Sequence, residues 1–122
     1  MASKSKLQKF AELASNPIVL EKNPAFKGKW NTDFFKNQHP IVLELACGKG
    51  DYTLGMARLF PEKNFIGADI KGNRIWSAAR IAGIENLQNV GFIRDQIDHI
   101  NDYFEPGEVE EIWITFSDPF PD

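Results

Sequence analysis

The chain is 122 residues long, 43% hydrophobic and 12% aromatic, with a formal net charge of −3, which suits one small folded domain and excludes disorder as its dominant state. No run approaches the 18 or so apolar residues of a membrane span and no basic-then-apolar leader opens the chain, so a soluble cytoplasmic protein is expected. The single cysteine, Cys47, excludes an internal disulfide and argues against a zinc site, so no metal is expected; His39 and His99 read as surface or loop residues with no ligand pattern around them.

Charge is unevenly spread. Residues 1–36 hold seven lysines against Glu12, Glu21 and Asp33, a net +4, and the remainder is −7. A basic arm on an acidic domain is either a nucleic-acid footprint or a solvated lysine-rich tail. The sequence divides accordingly into a basic N-terminal helix and arm over 1–36 and an α/β domain over 37–122.

In chain order, residues 3–14 predict a helix, with Leu7, Phe10, Ala11 and Leu13 close to one face and Asn16-Pro17 ending it. Residues 17–40 carry no clear period. Pro17, Pro24, Gly28 and Pro40 interrupt this stretch, yet Phe26, Trp30, Phe34 and Phe35 are too apolar for a free linker. These aromatics either pack across the domain or, with lysines interleaved, stack on exposed bases.

Beyond Pro40 strand and helix signals alternate. A first strand covers about 41–46, and Asp51 can cap a helix over about 51–60 that Pro61 ends. A second strand runs over Asn64 to Asp69, and a helix over about 72–82 follows, with Ile75, Ala78, Ala79 and Ala82 on one face and Gly83 as its cap. Asn89 to Arg94 is a third strand, Ile97, Ile100 and Phe104 mark a short helix, and Glu111 to Phe116 is a fourth strand after the Pro106-Gly107 turn. This alternation predicts an α/β layered fold with about four parallel strands and flanking helices.

Ligands of such folds lie beyond the carboxyl ends of the strands, where this sequence places Glu44 with a glycine loop, Asp69, Asp95-Gln96 and Asp118. The loop Ala46-Cys47-Gly48-Lys49-Gly50 is not a phosphate loop and only partly matches the dinucleotide pattern. Asp69, about 20 residues on, suits hydrogen bonding to ribose hydroxyls and so favours a nucleoside-containing cofactor. Glu44 would set a carboxylate against a pyrophosphate but welcomes a cation such as the ammonium of a methionine moiety. S-adenosylmethionine therefore fits better than NAD. The competing reading is that Glu44 only ties down the loop backbone, since a buried carboxylate needs hydrogen bonds from some source.

The motifs Glu44-Leu45-Ala46-Cys47-Gly48-Lys49-Gly50, Phe65-Ile66-Gly67-Ala68-Asp69-Ile70-Lys71 and Ile112-Trp113-Ile114-Thr115-Phe116-Ser117-Asp118-Pro119-Phe120 resemble, in succession, those of the bacterial tRNA (guanine-N7-)-methyltransferases. The resemblance covers roughly residues 28–120. It implies a Rossmann-like class I methyltransferase fold, S-adenosylmethionine as methyl donor, tRNA as partner and methylation of a guanine N7 in the variable loop. It implies Glu44, Ala46, Gly48, Gly50, Asp69, Ile70 and Gln96 as cofactor-binding positions, Asp118 as the active-site acid and Asp122 as a substrate-binding position. Three residues depart from the family pattern: Ala46 stands where glycine is usual, Gln96 where an acidic cofactor contact is common, and Asp122 where a lysine is expected.

Guanine N7 offers a lone pair and carries no proton, so the chemistry needs positioning and charge stabilisation rather than a general base. Asp118 can supply both; otherwise Ser117-Asp118-Pro119 is a turn after a strand. The family's further strands are missing after Asp122, which reads as a truncation with impaired activity and leaves the fourth strand as an apolar edge open to self-association. A non-catalytic S-adenosylmethionine or nucleotide-binding module and a small-molecule methyltransferase are the competing functions.

Overall fold

The computed structural model describes residues 5–114 and, within them, every side chain except those of Phe10, Leu13 and Ala14. Helix α1 (Lys6–Ser15) leads into strand β1 (Val19–Glu21) and a six-residue π-helix (Trp30–Phe35). Strand β2 (Ile41–Leu45), helix α2 (Asp51–Leu59), strand β3 (Asn64–Asp69), helix α3 (Gly72–Ile84), strand β4 (Val90–Arg94), a 3₁₀ helix (Ile97–Tyr103) and strand β5 (Glu111–Ile114) then follow. Among the described residues the strands form one parallel sheet in the order β1-β4-β3-β2-β5. The register pairs Ile41 with Asn64, Phe65 with Val90, Val19 with Phe92 and Leu43 with Ile112.

This is the α/β architecture expected from the alternation, with five strands where the sequence shows about four. The addition is β1, whose three residues between Pro17 and Pro24 are too few to display a period. Two caps differ as well. Gly50, in a left-handed conformation, caps α2, and Asp51 is already the first helical residue with no side-chain capping bond. Helix α3 runs through Gly83 to Ile84 with Glu85 as its cap, and left-handed Asn86 closes it: the Asn86 N–H donates to Gly83 O at 3.2 Å and the Leu87 N–H to Ala82 O at 3.0 Å. Asparagine fills the left-handed role that glycine more often fills, because its short polar side chain tolerates that region. The end of the fourth strand, Thr115-Phe116, lies outside the described residues.

Both faces of the sheet are covered, which is why β2, β3 and β4 read as apolar runs rather than alternating ones. On one face Val42, Phe65, Val90 and Phe92 meet Leu54 and Ala57 of α2 and Ile75, Ala78, Ala79 and Ala82 of α3. On the other, Ile41, Leu43, Ile66 and Ile93 pack against Trp30, Phe35 and Tyr103. Trp30 is wholly buried, its Nε1–H donating to Tyr103 O at 2.8 Å. An aromatic side chain of this size withdraws about 150–250 Å² from water, on the order of 4–6 kcal/mol. Packing thus accounts for Trp30 and Phe35, and base stacking by them is excluded by their burial. Glu108 fastens this segment: its carboxylate accepts hydrogen bonds from the backbone N–H groups of Gly28 (2.8 Å), Glu105 (2.9 Å) and Trp30 (3.2 Å). Strand β5 is the sheet edge among the described residues, and its Ile112, Trp113 and Ile114 are exposed. Among the described residues no helix is long and apolar enough to cross a membrane.

Candidate functional site

The site grows from the break between β2 and α2. After Leu45 the chain passes through left-handed conformations at Ala46 (φ 56°), Gly48 (φ 59°) and Gly50 (φ 74°), which fold the loop tightly over the strand ends. Two constraints coincide at Gly50. Its backbone is left-handed, and a Cβ there would sit 2.9 Å from Ala78 Cβ and 3.4 Å from Phe92 Cε1. The close approach demanding glycine is therefore to helix α3 and the core. Ala46 occupies the same region of backbone space without glycine's freedom, at a cost of about 1–2 kcal/mol. A glycine at this position would escape that cost.

Glu44 is only 2% exposed, and its Oε1 accepts a hydrogen bond from the buried Thr53 Oγ1 at 2.6 Å. The carboxylate ties β2 to α2 through a side chain, where the sequence left the choice between backbone and ligand. Thr53 is a residue that sequence reasoning missed; a hydroxyl among the buried positions of an otherwise apolar helix face was the available signal. Gly67 on β3 makes room for this pair of elements, since a Cβ there would meet Cys47 Sγ at 3.0 Å and Thr53 Oγ1 at 3.1 Å.

Asp69, 7% exposed at the end of β3, joins the loop directly. Its Oδ2 accepts the Gly48 N–H at 2.8 Å and its Oδ1 the Lys71 N–H at 2.9 Å. Each carboxylate oxygen retains further acceptor capacity. Ile70 beside it is 42% exposed, an apolar surface at the rim. On the adjacent strand end the Asp95 N–H donates to Asp69 O at 3.2 Å, which sets the two acids side by side along the sheet.

Asp95 is held from three directions: Tyr103 Oη–H (2.8 Å), His99 Nδ1 (2.8 Å) and the Gln96 N–H (2.7 Å). Burial pushes its carboxyl up, and the bonds from Tyr103, His99 and Gln96 more than offset this, leaving it below the ordinary carboxylate range. The exposed Gln96 lines a cavity of about 310 Å³ with Lys22, Pro24, Asp95, His99, Asp102 and Tyr103. His99 accordingly has a partner that its sequence surroundings did not reveal. Tyr103 was missed too, because only the fold of the 3₁₀ helix brings its hydroxyl back to Asp95.

The electrostatics of the loop are legible in Cys47. Burial raises its thiol far above the ordinary range, and the charges of Asp69 and then Glu44 raise it further, with Arg74 acting weakly in the opposite sense. Both acids therefore lie close to the loop. Among the described residues no group of three or more His, Cys, Asp or Glu side chains is placed to hold a metal ion. A larger cleft of about 660 Å³, bordered by Ile18, Phe34, Ala79 and Val90, opens at the opposite, amino-terminal ends of the strands, away from the converging acids. Of the residues expected at the site, Ala46, Gly48 and Gly50 share one loop that Asp69 clasps, and Gln96 stands one strand further along. Glu44 lies beneath the loop against α2, and Asp118 and Asp122 lie outside the described residues.

A family model described as "Putative methyltransferase" matches residues 38–122. The chain belongs to this methyltransferase family. Among curated relatives, a tRNA (guanine-N(7)-)-methyltransferase of Bacteroides thetaiotaomicron is 52% identical over 124 residues, covering 95% of this chain and 49% of the relative. A protein of the same name from Porphyromonas gingivalis is 57% identical over 93 residues, 76% of this chain and 38% of the relative. One from Bacillus subtilis is 41% identical over 110 residues, 89% of this chain and 51% of the relative. The chain thus spans about half the length of the curated relatives it matches. Among solved structures, a 30S ribosomal A1408 methyltransferase from an uncultured bacterium superposes with a TM-score of 0.61 at 20% identity, over 79% of this chain and 47% of that one. Coclaurine N-methyltransferase bound to N-methylheliamine and SAH gives a TM-score of 0.53 at 17% identity, over 93% and 29%. Both likenesses establish the methyltransferase fold for the sheet and its helices.

Proposed function

We propose that this chain carries the cofactor-binding part of an enzyme that moves a methyl group from S-adenosylmethionine to guanine N7 of tRNA, with the cofactor site in residues 37–122. The observation that carries the reading is the paired negative charge of Glu44 and Asp69 around a tight glycine loop, a field that suits a cationic methyl donor and opposes a pyrophosphate. The names of the relatives support tRNA as substrate, and a tRNA substrate supports a cytoplasmic location.

When bound, S-adenosylmethionine supplies an electrophilic methyl group on a sulfonium. The acceptor capacity that Asp69 retains beyond the Gly48 and Lys71 N–H groups receives the ribose hydroxyls. Ile70 offers an apolar face to the base, and the Gln96 side-chain amide accepts from an exocyclic amino group. Ala46, Gly48 and Gly50 keep the loop close enough for backbone contact. Glu44 holds the loop's footing through Thr53 while adding to the field. Guanine N7 has no proton to lose, so no general base is required; Asp118 would accept from the donor edge of guanine and counter its developing positive charge. Asp122 would stand at the substrate side, presenting an acid where the family pattern has a base. The exposed edge β5 would let copies of the chain associate strand to strand.

Titration calorimetry with S-adenosylmethionine and with NAD tests the cofactor. Binding of NAD alone would overturn it. Methyl transfer from labelled S-adenosylmethionine to unmodified tRNA, read by chain scission at N7-methylguanine, tests the reaction. Label appearing elsewhere than N7, in a protein extended to the length of the relatives, would overturn the assignment of the acceptor atom.

A further inference from the structure

One flank of the sheet carries basic side chains with little acid among them. Residues 71–84, which comprise α3 and its N-cap, contain Lys71, Arg74 and Arg80 and no acid. Helix α1 packs on α3 and adds Lys6 and Lys9 against the single acid Glu12. Residues 97–111 carry six acidic residues, and Lys22 and Lys27 border them, Lys22 beside Asp102 and Lys27 beside Glu105. A molecule with a net charge of −3 therefore presents one flank of the opposite sign.

The cations on that flank are arranged around a common ring. Lys9 Nζ lies 4.9 Å and Arg80 Cζ 5.8 Å from the centroid of Trp76, one cation from each helix. The ring is fixed in turn, because its Nε1–H donates to Glu12 Oε2 at 2.6 Å, and Lys9 Nζ also donates to Asn73 Oδ1 at 3.3 Å. Long basic side chains lose much rotamer freedom when they engage a phosphate, and holding them in advance reduces that loss. Asn73 and Arg80, seven residues apart, share one side of α3, while Lys71 stands at its N-cap. Its start adjoins the candidate site, since the Lys71 N–H is bonded to Asp69.

We infer that the α1–α3 flank, through Lys6, Lys9, Lys71 and Arg80, is the surface that engages the phosphate backbone of the RNA substrate. The inference rests on the tRNA reading above and adds to it where the backbone lies. It directs the RNA in beside α3, on the same side as Asp69, and away from the acids of 97–111. An anionic membrane is the poorer fit: interfacial helices need a broad apolar face, and the large exposed apolar side chain described on α1 is Leu7 alone.

The test measures binding of an unmodified tRNA transcript by fluorescence anisotropy across a salt series. It compares the wild-type chain, the triple variant K6A/K9A/R80A, the charge-retaining K6R/K9R/R80K and the double variant K6A/R80A, which spares the Lys9 contacts with Trp76 and Asn73. Binding of S-adenosylmethionine and the thermal midpoint monitor the folded state. The alanine triple is expected to lose affinity on the order of 10- to 100-fold and to flatten the log–log salt slope by roughly 2 to 3; the double should show about two-thirds of that slope change, and the charge-retaining triple should keep wild-type behaviour. Wild-type binding that the alanine variants leave unchanged overturns this surface while the tRNA reading stands. An equal loss in the charge-retaining triple also overturns it, because the effect would not be one of charge. Wild-type chain that ignores tRNA but binds phosphatidylserine vesicles overturns both.

Discussion

Replacing Gly50 with alanine separates a glycine kept for the fold from one kept for a ligand. The backbone at this position has φ 74°, and the added methyl would lie 2.9 Å from Ala78 Cβ. The left-handed conformation costs a residue with a Cβ about 1–2 kcal/mol, and forcing α3 or the loop to give way costs about 1–3 kcal/mol more. Removing glycine's freedom from the unfolded chain returns about 0.4–1 kcal/mol. The net destabilisation expected is about 2–4 kcal/mol, a large share of the roughly 5–15 kcal/mol that holds such a domain together. Urea unfolding followed by far-ultraviolet circular dichroism, without any cofactor, should show a lowered midpoint with unchanged slope. Gly50→Asn should suffer about 1 kcal/mol less than alanine, because asparagine tolerates the left-handed region while still meeting Ala78. Should Gly50→Ala unfold within about 0.5 kcal/mol of wild type and lose only S-adenosylmethionine affinity, the assignment of this glycine to helix packing is wrong.

Ala46→Gly relieves a left-handed alanine and should raise stability by about 0.5–1 kcal/mol in the same assay once the greater freedom of the unfolded chain is subtracted. The buried Cys47 thiol should resist alkylation by iodoacetamide in the native state while reacting promptly in urea. Its raised native pKa also has a sign: the unfolded chain loses the proton first, so the thiol's contribution is intact below pH 9.0 and declines as pH rises beyond it, by about 1.4 kcal/mol per pH unit, and Cys47→Ala should flatten that part of the stability profile. Glu108→Ala removes the acceptor of three backbone N–H groups, of which that of Trp30 is partly buried, and should cost about 1–2 kcal/mol, measured by thermal unfolding, with Glu108→Gln recovering part of the loss.

Much of the fold was readable because its signals are local and repeated. Apolar runs at Ile41, Asn64 and Val90 and the spacing of Ile75, Ala78, Ala79 and Ala82 each stand out within a dozen residues, and all four alanine and isoleucine positions are buried as expected. Strand β1 was not readable, since Val19-Leu20-Glu21 becomes a strand only through β4, far along the chain. The caps misled for a related reason. Asp51 has the chemistry of a cap, but the left-handed turn through Gly50 starts the helix one residue sooner, and Gly83 is less effective as a stop than the paired bonds that Asn86 and Leu87 make. At the site, residue types announced Asp69 and the glycine loop. Which hydrogens the acids accept was not announced, because Thr53, Tyr103 and the Gly48 N–H reach them only through the packing of helices on strands.

The sheet order also bears on how the chain gains structure. Strand β1 meets β4 with Val19 opposite Phe92 and Glu21 paired to Arg94, a separation of 73 residues, and among the described residues no two neighbouring strands form a hairpin. Pairings of this kind close large loops before any contact rewards them, which is the feature of a topology that slows folding. During synthesis, Val19 and Leu20 leave the ribosome long before Val90–Arg94 exist to receive them. The segment that forms β1 is thus made well before the strand it pairs with.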